Sequence, residues 1–216
     1  MLDTNEASLV EAGAIFAHSA PALEEKSKSL RYLKIICWII LIAAGIVQAW
    51  YTRHRIFSDG ISYVEIAHYY TAGNWKSALN SYWSPLYSWI LAFWMLILRP
   101  SAYWEAGLLH LTNFVAYVAS LVGFELFLGS LTKLQHRLIG ETGLSESTLR
   151  IAGYSAFLIG TLAAINMGYV SPDMMGTAIG LFLAALLLRI ALGDAGLSTY
   201  IWFGVLLGLE YLARAA

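Results

Sequence analysis

The sequence contains little charge and only one cysteine. Only 12% of its 216 residues are charged and 59% are hydrophobic, whereas a soluble domain averages about 25% charged residues. A soluble protein of this size could not bury so much apolar surface, so lipid must provide part of the solvent. The single cysteine, Cys37, cannot form an intrachain disulfide and indicates nothing about redox compartment. The composition therefore predicts an integral membrane protein.

An excess of positive charge and several common catalytic motifs are also missing. The formal net charge is -1, which excludes a strongly basic nucleic-acid binder. The sequence has no phosphate-binding loop G-x-x-x-x-G-K-[ST], no nucleophile elbow G-x-S-x-G and no zinc motif H-E-x-x-H. The function must therefore be sought outside these motif classes.

Long apolar runs divide the chain into a tail and one transmembrane domain. Residues 1–34 are predicted to form a cytosolic tail, because basic residues directly precede the first run and no small-residue cleavage site is evident. Residues 35–216 are predicted to be an all-α integral membrane domain with about five transmembrane helices. The predicted spans are residues 35–51, 106–131, 151–170, 174–192 and 197–212.

The apolar segment Pro85–Leu98 is expected to lie at the membrane surface. Ser84 and Pro85 are typical of a helix start. A helix of this length reaches only about 21 Å, whereas a bilayer core is about 30 Å thick. If this segment does not cross, the basic residues of the tail, those of the loop after the second span and Arg189 all lie inside, as the positive-inside rule prefers. Residues 52–105 then form one long external loop.

The external loop begins with SDGISYVEIAHYYTAGNW, in which residues 61–72 are predicted to form an amphipathic interfacial helix. Gly73 is a typical helix end. Ser62 and Glu65 have the spacing of a capping box. Asp59 either caps this helix or carries out chemistry at the membrane surface, and the sequence leaves both interpretations open.

Two further polar residues emerge on the same predicted side of the membrane. Asp173 lies in the short loop YVSPDMM, where Ser-Pro-Asp is also an ordinary way to begin a helix. Arg214 ends the fifth predicted span. Two carboxylates and one guanidinium are therefore expected at similar depth on one face of the membrane.

Other polar residues carry weaker hypotheses. His110 and Glu125 lie inside the second span, where charge is costly, so they are expected to face protein or water. Glu65 and His68 have i, i+3 spacing, but two potential ligands do not make a metal site. No cofactor and no metal are therefore predicted.

Five segments follow one another in an order that suggests a family. They are the apolar anchor, SDGISYVEIAHYYTAGNW, YWSPLYSWILAFWML, YVSPDMMGTAIGLFLAALLLR and GLEYLARAA. In this order the chain resembles the N-terminal portion of the GT-C superfamily over residues 35–216. These are membrane glycosyltransferases that use polyprenyl-phosphate sugars, such as protein O-mannosyltransferases and lipid A aminoarabinose transferases.

The resemblance implies a site as well as a fold. It implies two interfacial helices in the first outer loop, a catalytic acid at Asp59, a second acid at Asp173 and a lipid-phosphate ligand at Arg214. Asp59 is then the general base, Asp173 positions sugar or acceptor, and Arg214 holds the phosphate. Three aromatic residues are expected either to pack against sugar or lipid or to anchor the loop in the interface: Tyr63, Tyr82 and Trp83.

The sequence departs from the family pattern at three places. Many relatives have a second acid where this chain has Gly60, so a paired-carboxylate metal site is not expected. Some carry a basic residue where this chain has Ser84. The family normally continues beyond YLARAA with further spans, so the sequence is expected to be an N-terminal fragment, inactive alone.

The expected activity is inverting transfer of a sugar from a polyprenyl-phosphate donor to a hydroxyl of a lipid, glycan or protein acceptor. The expected partners are therefore the lipid-linked donor, the acceptor and membrane lipids, without nucleic acid. A bacterial inner membrane, with the N-terminus cytosolic, is the expected location. The alternative is a non-catalytic polytopic protein, either a lipid-linked sugar carrier or an assembly subunit.

Overall fold

The computed structural model describes residues 4–80 and 82–214, and these residues form helices without any strand. The helices are α1 (Thr4–Thr52), α2 (Ser58–Thr71), α3 (Trp75–Ala78), α4 (Pro85–Leu98), α5 (Ala102–Ile139), α6 (Glu146–Ile159), α7 (Asp173–Ala191) and α8 (Leu197–Arg214). A 3-10 turn, Gly140–Thr142, follows α5, and a π-helical turn, Gly160–Ala164, follows α6. The predicted all-α class is confirmed for these residues.

Three described helical segments are long and apolar enough to cross a membrane: Ser27–Thr52, Ala102–Ile139 and Asp173–Ala191. They contain the first and second predicted spans and all but the last residue of the fourth. Chains with several such helices are typical of membrane proteins.

The chain divides into two compact units, Met1–Ile40 and Leu41–Ala216. Within the first unit, Lys28 Nζ lies 2.7 Å from the Glu24 carboxylate, one helical turn away. The candidate site and both apolar grooves considered below belong to the second unit.

The third predicted span, residues 151–170, is not one continuous α-helix, which corrects the expectation of a single helix there. After α6 the chain passes through the π-helical turn, and residues 165–172 are not helical. Asn166 has a left-handed backbone with φ 57°. The Gln48 amide of α1 donates to Leu162 O at 3.0 Å and to Asn166 Oδ1 at 2.9 Å. The bond to Leu162 O supplies the broken backbone with a partner from a neighbouring helix, as irregular backbone inside an apolar protein requires, and the second bond holds the Asn166 side chain.

The helix α4 has the bounds predicted from the sequence. Ser84 is its N-cap residue and Pro85 its first helical residue, although the Ser84 side chain makes no capping bond. One face of α4 is buried: Tyr87, Ser88, Leu91, Ala92 and Met95.

The helix α2 begins earlier than predicted, and the capping assignments were wrong. Phe57 is the N-cap residue, so Asp59 lies in the first turn rather than at the cap. The proposed capping box of Ser62 and Glu65 lies inside the helix, and Glu65 Oε1 instead accepts a hydrogen bond of 2.6 Å from the Tyr69 hydroxyl. The helix ends as predicted, with Gly73 at φ 70° directly after it.

The core of the second unit forms where α2 and α4 pack with α5, α7 and α8. Tyr87 is fully buried there and donates its hydroxyl to Asn113 Oδ1 at 2.7 Å. The Asn113 amide in turn donates to Met167 O at 3.2 Å and to Tyr169 O. One buried side chain thus ties α4 and α5 to residues 165–172, which lead directly into α7.

The polar residues of the second predicted span face protein, as expected. His110 is only 2% exposed and hydrogen-bonds Arg55 O at 2.8 Å. Glu125 meets the Arg150 guanidinium at 3.1 Å, and the Tyr154 hydroxyl donates to it. Each group therefore has a partner in place of lipid.

Candidate functional site

The start of α2 packs directly on the segment that precedes α7. A Cβ on Gly60 would lie 2.8 Å from Val170 Cβ and 3.1 Å from Val170 O, so only glycine permits this approach. Beside it, the Phe57 and Tyr169 rings lie 4.3 Å apart. Asp59 directly precedes Gly60, and Asp173 follows Val170 by three residues. The fold therefore brings the first turns of α2 and α7 to one place.

The Asp59 carboxylate is exposed in the first turn of α2. The Ser58 hydroxyl donates to its Oδ1 at 3.1 Å. The positive end of the helix dipole stabilises an anion at this position. The Asp59 carboxylate is thus accessible both to water and to the hydroxyl of a substrate.

Asp173 is the first residue of α7 and is also exposed. The Ser171 hydroxyl donates to its Oδ2 at 2.9 Å, and Arg214 Nη2 lies 3.5 Å from its Oδ1. Asp173 and Arg214, which the sequence separates by a helical hairpin, therefore meet in the structure.

Arg214 reaches Asp173 from the end of α8 by crossing α7 at Gly176. A Cβ on Gly176 would lie 2.7 Å from Arg214 Nε. Arg214 Nε also lies 3.9 Å from Glu210 Oε1, one turn earlier in α8. Glu210 Oε2 is buried and has no hydrogen-bond partner among the described residues.

Sequence reasoning missed Glu210. Its i, i+4 spacing to Arg214 was a signal that could have found it. Asp173, Glu210 and Arg214 are called the acidic–arginine cluster below, and Asp59 lies in the first turn of α2, which packs beside the start of α7.

The negative charges of both aspartates affect the pKa of the Tyr63 hydroxyl. Tyr63 is only 5% exposed, and its ring lies 5.0 Å from Trp83 and 5.2 Å from Tyr87. Burial, then the negative charges of Asp173 and Asp59, raise its pKa from 10.0 to about 12, and a hydrogen bond with Ser84 opposes the rise. Each negative charge disfavours the phenolate form of Tyr63.

The three aromatic candidates have different surroundings. Tyr63 is a core residue, and Trp83 is half-buried against it. Tyr82 is 68% exposed and meets Trp83 edge to face at 4.8 Å. Trp83 therefore packs between a buried and an exposed ring next to the cluster.

An apolar groove of about 330 Å³ lies among α4, α5, α7 and α8. Its wall includes Met175, two residues after Asp173, and Leu209, which directly precedes Glu210. The groove therefore begins beside the acidic–arginine cluster and continues between apolar helices.

Within the ranges that the structure describes, no three His, Cys, Asp or Glu side chains are grouped so that they could hold a metal ion. Glu65 and His68, which have ligand spacing, have different partners. His68 Nε2 meets the Glu105 carboxylate, whereas Glu65 accepts from Tyr69.

No protein-family model, curated protein or solved structure matches the chain.

Proposed function

We propose that this chain belongs to an enzyme that transfers a sugar from a polyprenyl-phosphate donor to an acceptor hydroxyl, with inversion at the anomeric carbon. The observation that carries the proposal is geometric. The first turns of α2 and α7, which bear Asp59 and Asp173, pack together at Gly60 and Val170, and Arg214 pairs with Asp173. The proposal also rests on the resemblance to GT-C glycosyltransferases.

Asp59 is the proposed general base. Its carboxylate takes the proton of the acceptor hydroxyl as that oxygen bonds to the anomeric carbon. The bond between the anomeric carbon and the phosphate oxygen breaks, and polyprenyl phosphate leaves with the electron pair. Because phosphate is a good leaving group, the reaction needs no strong acid.

Arg214 is the proposed ligand of the departing phosphate. Its contact with Asp173, at 3.5 Å, is long and exposed, and Nε lies farther, at 3.9 Å, from the half-buried Glu210. An exposed pair contributes about 0–1 kcal/mol, so a phosphate can replace Asp173 at little cost. A guanidinium offers phosphate two parallel donors and stabilises the charge that develops in the transition state. Asp173, released from Arg214, then positions the sugar or the acceptor.

The apolar groove beside the cluster is the proposed path of the polyprenyl chain. Its lining is almost entirely apolar, which suits a hydrocarbon, and it leads away from Arg214 between α7 and α8. Phosphate and lipid chain would then be bound by adjacent parts of the same helices.

The proposal includes the topology predicted from charge. The N-terminus is cytosolic, five segments cross, and residues 52–105 lie outside with α2 and α4 in the interface. A bacterial inner membrane is the proposed location.

The test is sugar transfer from polyprenyl-phosphate donors in membranes that contain the natural full-length protein, compared with Asp59→Asn and Glu65→Gln. Asparagine keeps the shape of Asp59 but is no general base. Glu65 is a carboxylate of the same helix that contacts Tyr69 instead of the cluster. We expect transfer to fall about 10²–10⁴-fold in D59N and to remain near normal in E65Q, at equal protein amounts.

Transfer that is retained in D59N would remove Asp59 from the chemistry. Transfer that is absent from the unaltered protein with every donor would favour the non-catalytic alternative, a carrier or assembly subunit.

A further inference from the structure

A second and larger apolar groove lies away from the acidic–arginine cluster. It has a volume of about 690 Å³ and is formed by the end of α1, the end of α4 and the first three turns of α5. Its walls carry large apolar side chains that remain exposed, among them Ile46, Trp50, Trp104 and Leu111. In a membrane-spanning protein, such a surface is in contact with lipid acyl chains.

Two arginines stand at the rim of this groove. Arg53 directly follows α1, and Arg99 is the C-cap residue of α4. The Arg53 guanidinium lies 4.1 Å from the centre of the Trp50 ring and donates to Trp50 O at 2.6 Å. Trp50 and Trp104 are side chains of the type that marks the headgroup level of a bilayer. The two guanidinium groups therefore lie where lipid phosphates are found.

Arg99 occupies a backbone position that favours glycine. Its φ of 44° and ψ of 56° are left-handed, and Pro100 follows it, which restricts it further. Helices usually end here with Gly or Asn. An arginine that holds such a conformation at the rim of a groove indicates a function for its side chain.

One acidic residue lies near this rim. Glu105, in the first turn of α5, lines a neighbouring pocket together with Arg99, and its carboxylate meets His68 of α2. Two guanidinium groups and one carboxylate leave the rim with a net positive charge, and the groove behind it is apolar.

We propose that this groove binds one acidic phospholipid of the surrounding bilayer. Its phosphate lies between Arg53 and Arg99, and one acyl chain lies against Ala49, Gly107 and Leu111. The charge of the rim selects an acidic over a zwitterionic lipid, because each guanidinium offers charge-assisted hydrogen bonds to phosphate oxygens. This site is separate from the proposed donor site and does not depend on sugar transfer.

The test is native mass spectrometry of the protein extracted from nanodiscs of phosphatidylcholine with a minor fraction of phosphatidylglycerol. We expect one phosphatidylglycerol to be retained per protein. The double variant Arg53→Gln, Arg99→Gly should weaken its retention by at least about tenfold. Because glycine adopts the Arg99 conformation without strain, loss of lipid in this variant cannot be attributed to the end of α4.

Two further variants complete the test. Arg55→Gln is the matched control, since Arg55 lies two residues from Arg53 but stacks on Tyr51 and does not line the groove. It should retain the lipid. Ala49→Phe keeps both arginines but fills the groove, and it should lose the lipid. Glycerophosphate, which has the headgroup without acyl chains, should not displace it.

Three outcomes would each overturn the proposal. The first is equal retention of phosphatidylcholine and phosphatidylglycerol. The second is unchanged retention in either the double-arginine variant or A49F. The third is a protein dimer that protects the groove while no lipid is retained.

Discussion

Arg214 lies directly over Gly176, and this contact decides where its guanidinium can go. A Cβ at position 176 would lie 2.7 Å from Arg214 Nε, which real side chains do not tolerate. The absent side chain leaves the space through which Arg214 reaches Asp173 at 3.5 Å. A glycine in α7 thus sets the position of a charge from α8.

The first prediction concerns Gly176→Ala. We expect the helix to be maintained or slightly stabilised, because alanine is the better helix former by about 1 kcal/mol. The flexible end of Arg214 must move away from Asp173, so sugar transfer should fall about tenfold or more. The measurement is transfer activity alongside the free energy of unfolding.

Gly180→Ala is the control for this prediction. Gly180 lies one turn further along α7, and a Cβ there would meet nothing within 4 Å. It should leave activity unchanged. Equal activity in both variants would show that the position of Arg214 does not matter for transfer.

The second prediction concerns the pKa of the Tyr63 hydroxyl, which is raised from 10.0 to about 12. Removing either negative charge should lower this pKa, because each carboxylate disfavours the phenolate. It should stay above 10.0, because burial is the largest cause of the shift. The measurement is an NMR titration of ring-labelled tyrosine, with Tyr63→Phe for assignment, in Asp59→Asn and Asp173→Asn.

Glu65→Gln is the control, since Glu65 is not among the groups that shift Tyr63. If neither aspartate substitution changes the pKa of Tyr63, the hypothesis that Asp59 and Asp173 share a site beside Tyr63 is contradicted.

The same hydroxyl should affect stability at alkaline pH. Below pH 10 the proton is bound in both folded and unfolded chains, and the contribution of Tyr63 is fully present. Between about pH 10 and 12 the unfolded chain releases the proton while the folded chain keeps it, so stability falls as pH rises. Tyr63→Phe should therefore lose less stability than the unaltered protein over this range.

The third prediction concerns Asn113, which bonds Tyr87 and the carbonyls of Met167 and Tyr169. Asn113→Ala should lower the free energy of unfolding by about 1–3 kcal/mol for each buried group left without a partner. Residues 165–172 lead into α7 and so position Asp173. Sugar transfer should therefore fall too. Denaturation in detergent and transfer assays measure the two effects.

Thr112→Val is the matched control. Thr112 is the buried neighbour of Asn113, but its hydroxyl bonds only Leu108 O in its own helix, at 3.0 Å. Thr112→Val should lower the free energy of unfolding by less than about 1 kcal/mol. Equal losses in the two variants would refute a special role for Asn113.

Local pattern was sufficient where a helix is determined by its own residues. The bounds of α4 followed from Ser84, Pro85 and an unbroken apolar run, and Gly73 correctly ended α2. The apolar character of three long helices also followed from composition. In each case the signal lies within one stretch of sequence, where propensity and solvent preference act directly.

Local pattern failed where a distant residue supplies a partner. Residues 151–170 are uncharged and read as one helix, yet Gln48 and Asn113 bond the freed backbone and stabilise a break. Likewise, Asp59 has the chemistry of a cap, but the helix begins at Ser58, and Gly60 packs against the distant Val170. Neither partner could be recognised from the segment itself.

The sequence alone determined that this is a helical chain with membrane-length apolar segments and a few polar groups between them. It could do so because hydrophobicity and helix signals are properties of neighbouring residues. Only the tertiary structure decided that Asp173, Glu210 and Arg214 form one cluster and that the first turn of α2, with Asp59, packs beside the start of α7. Their proximity depends on close helix contacts at Gly60 and Gly176, and such contacts exist only once the helices have packed.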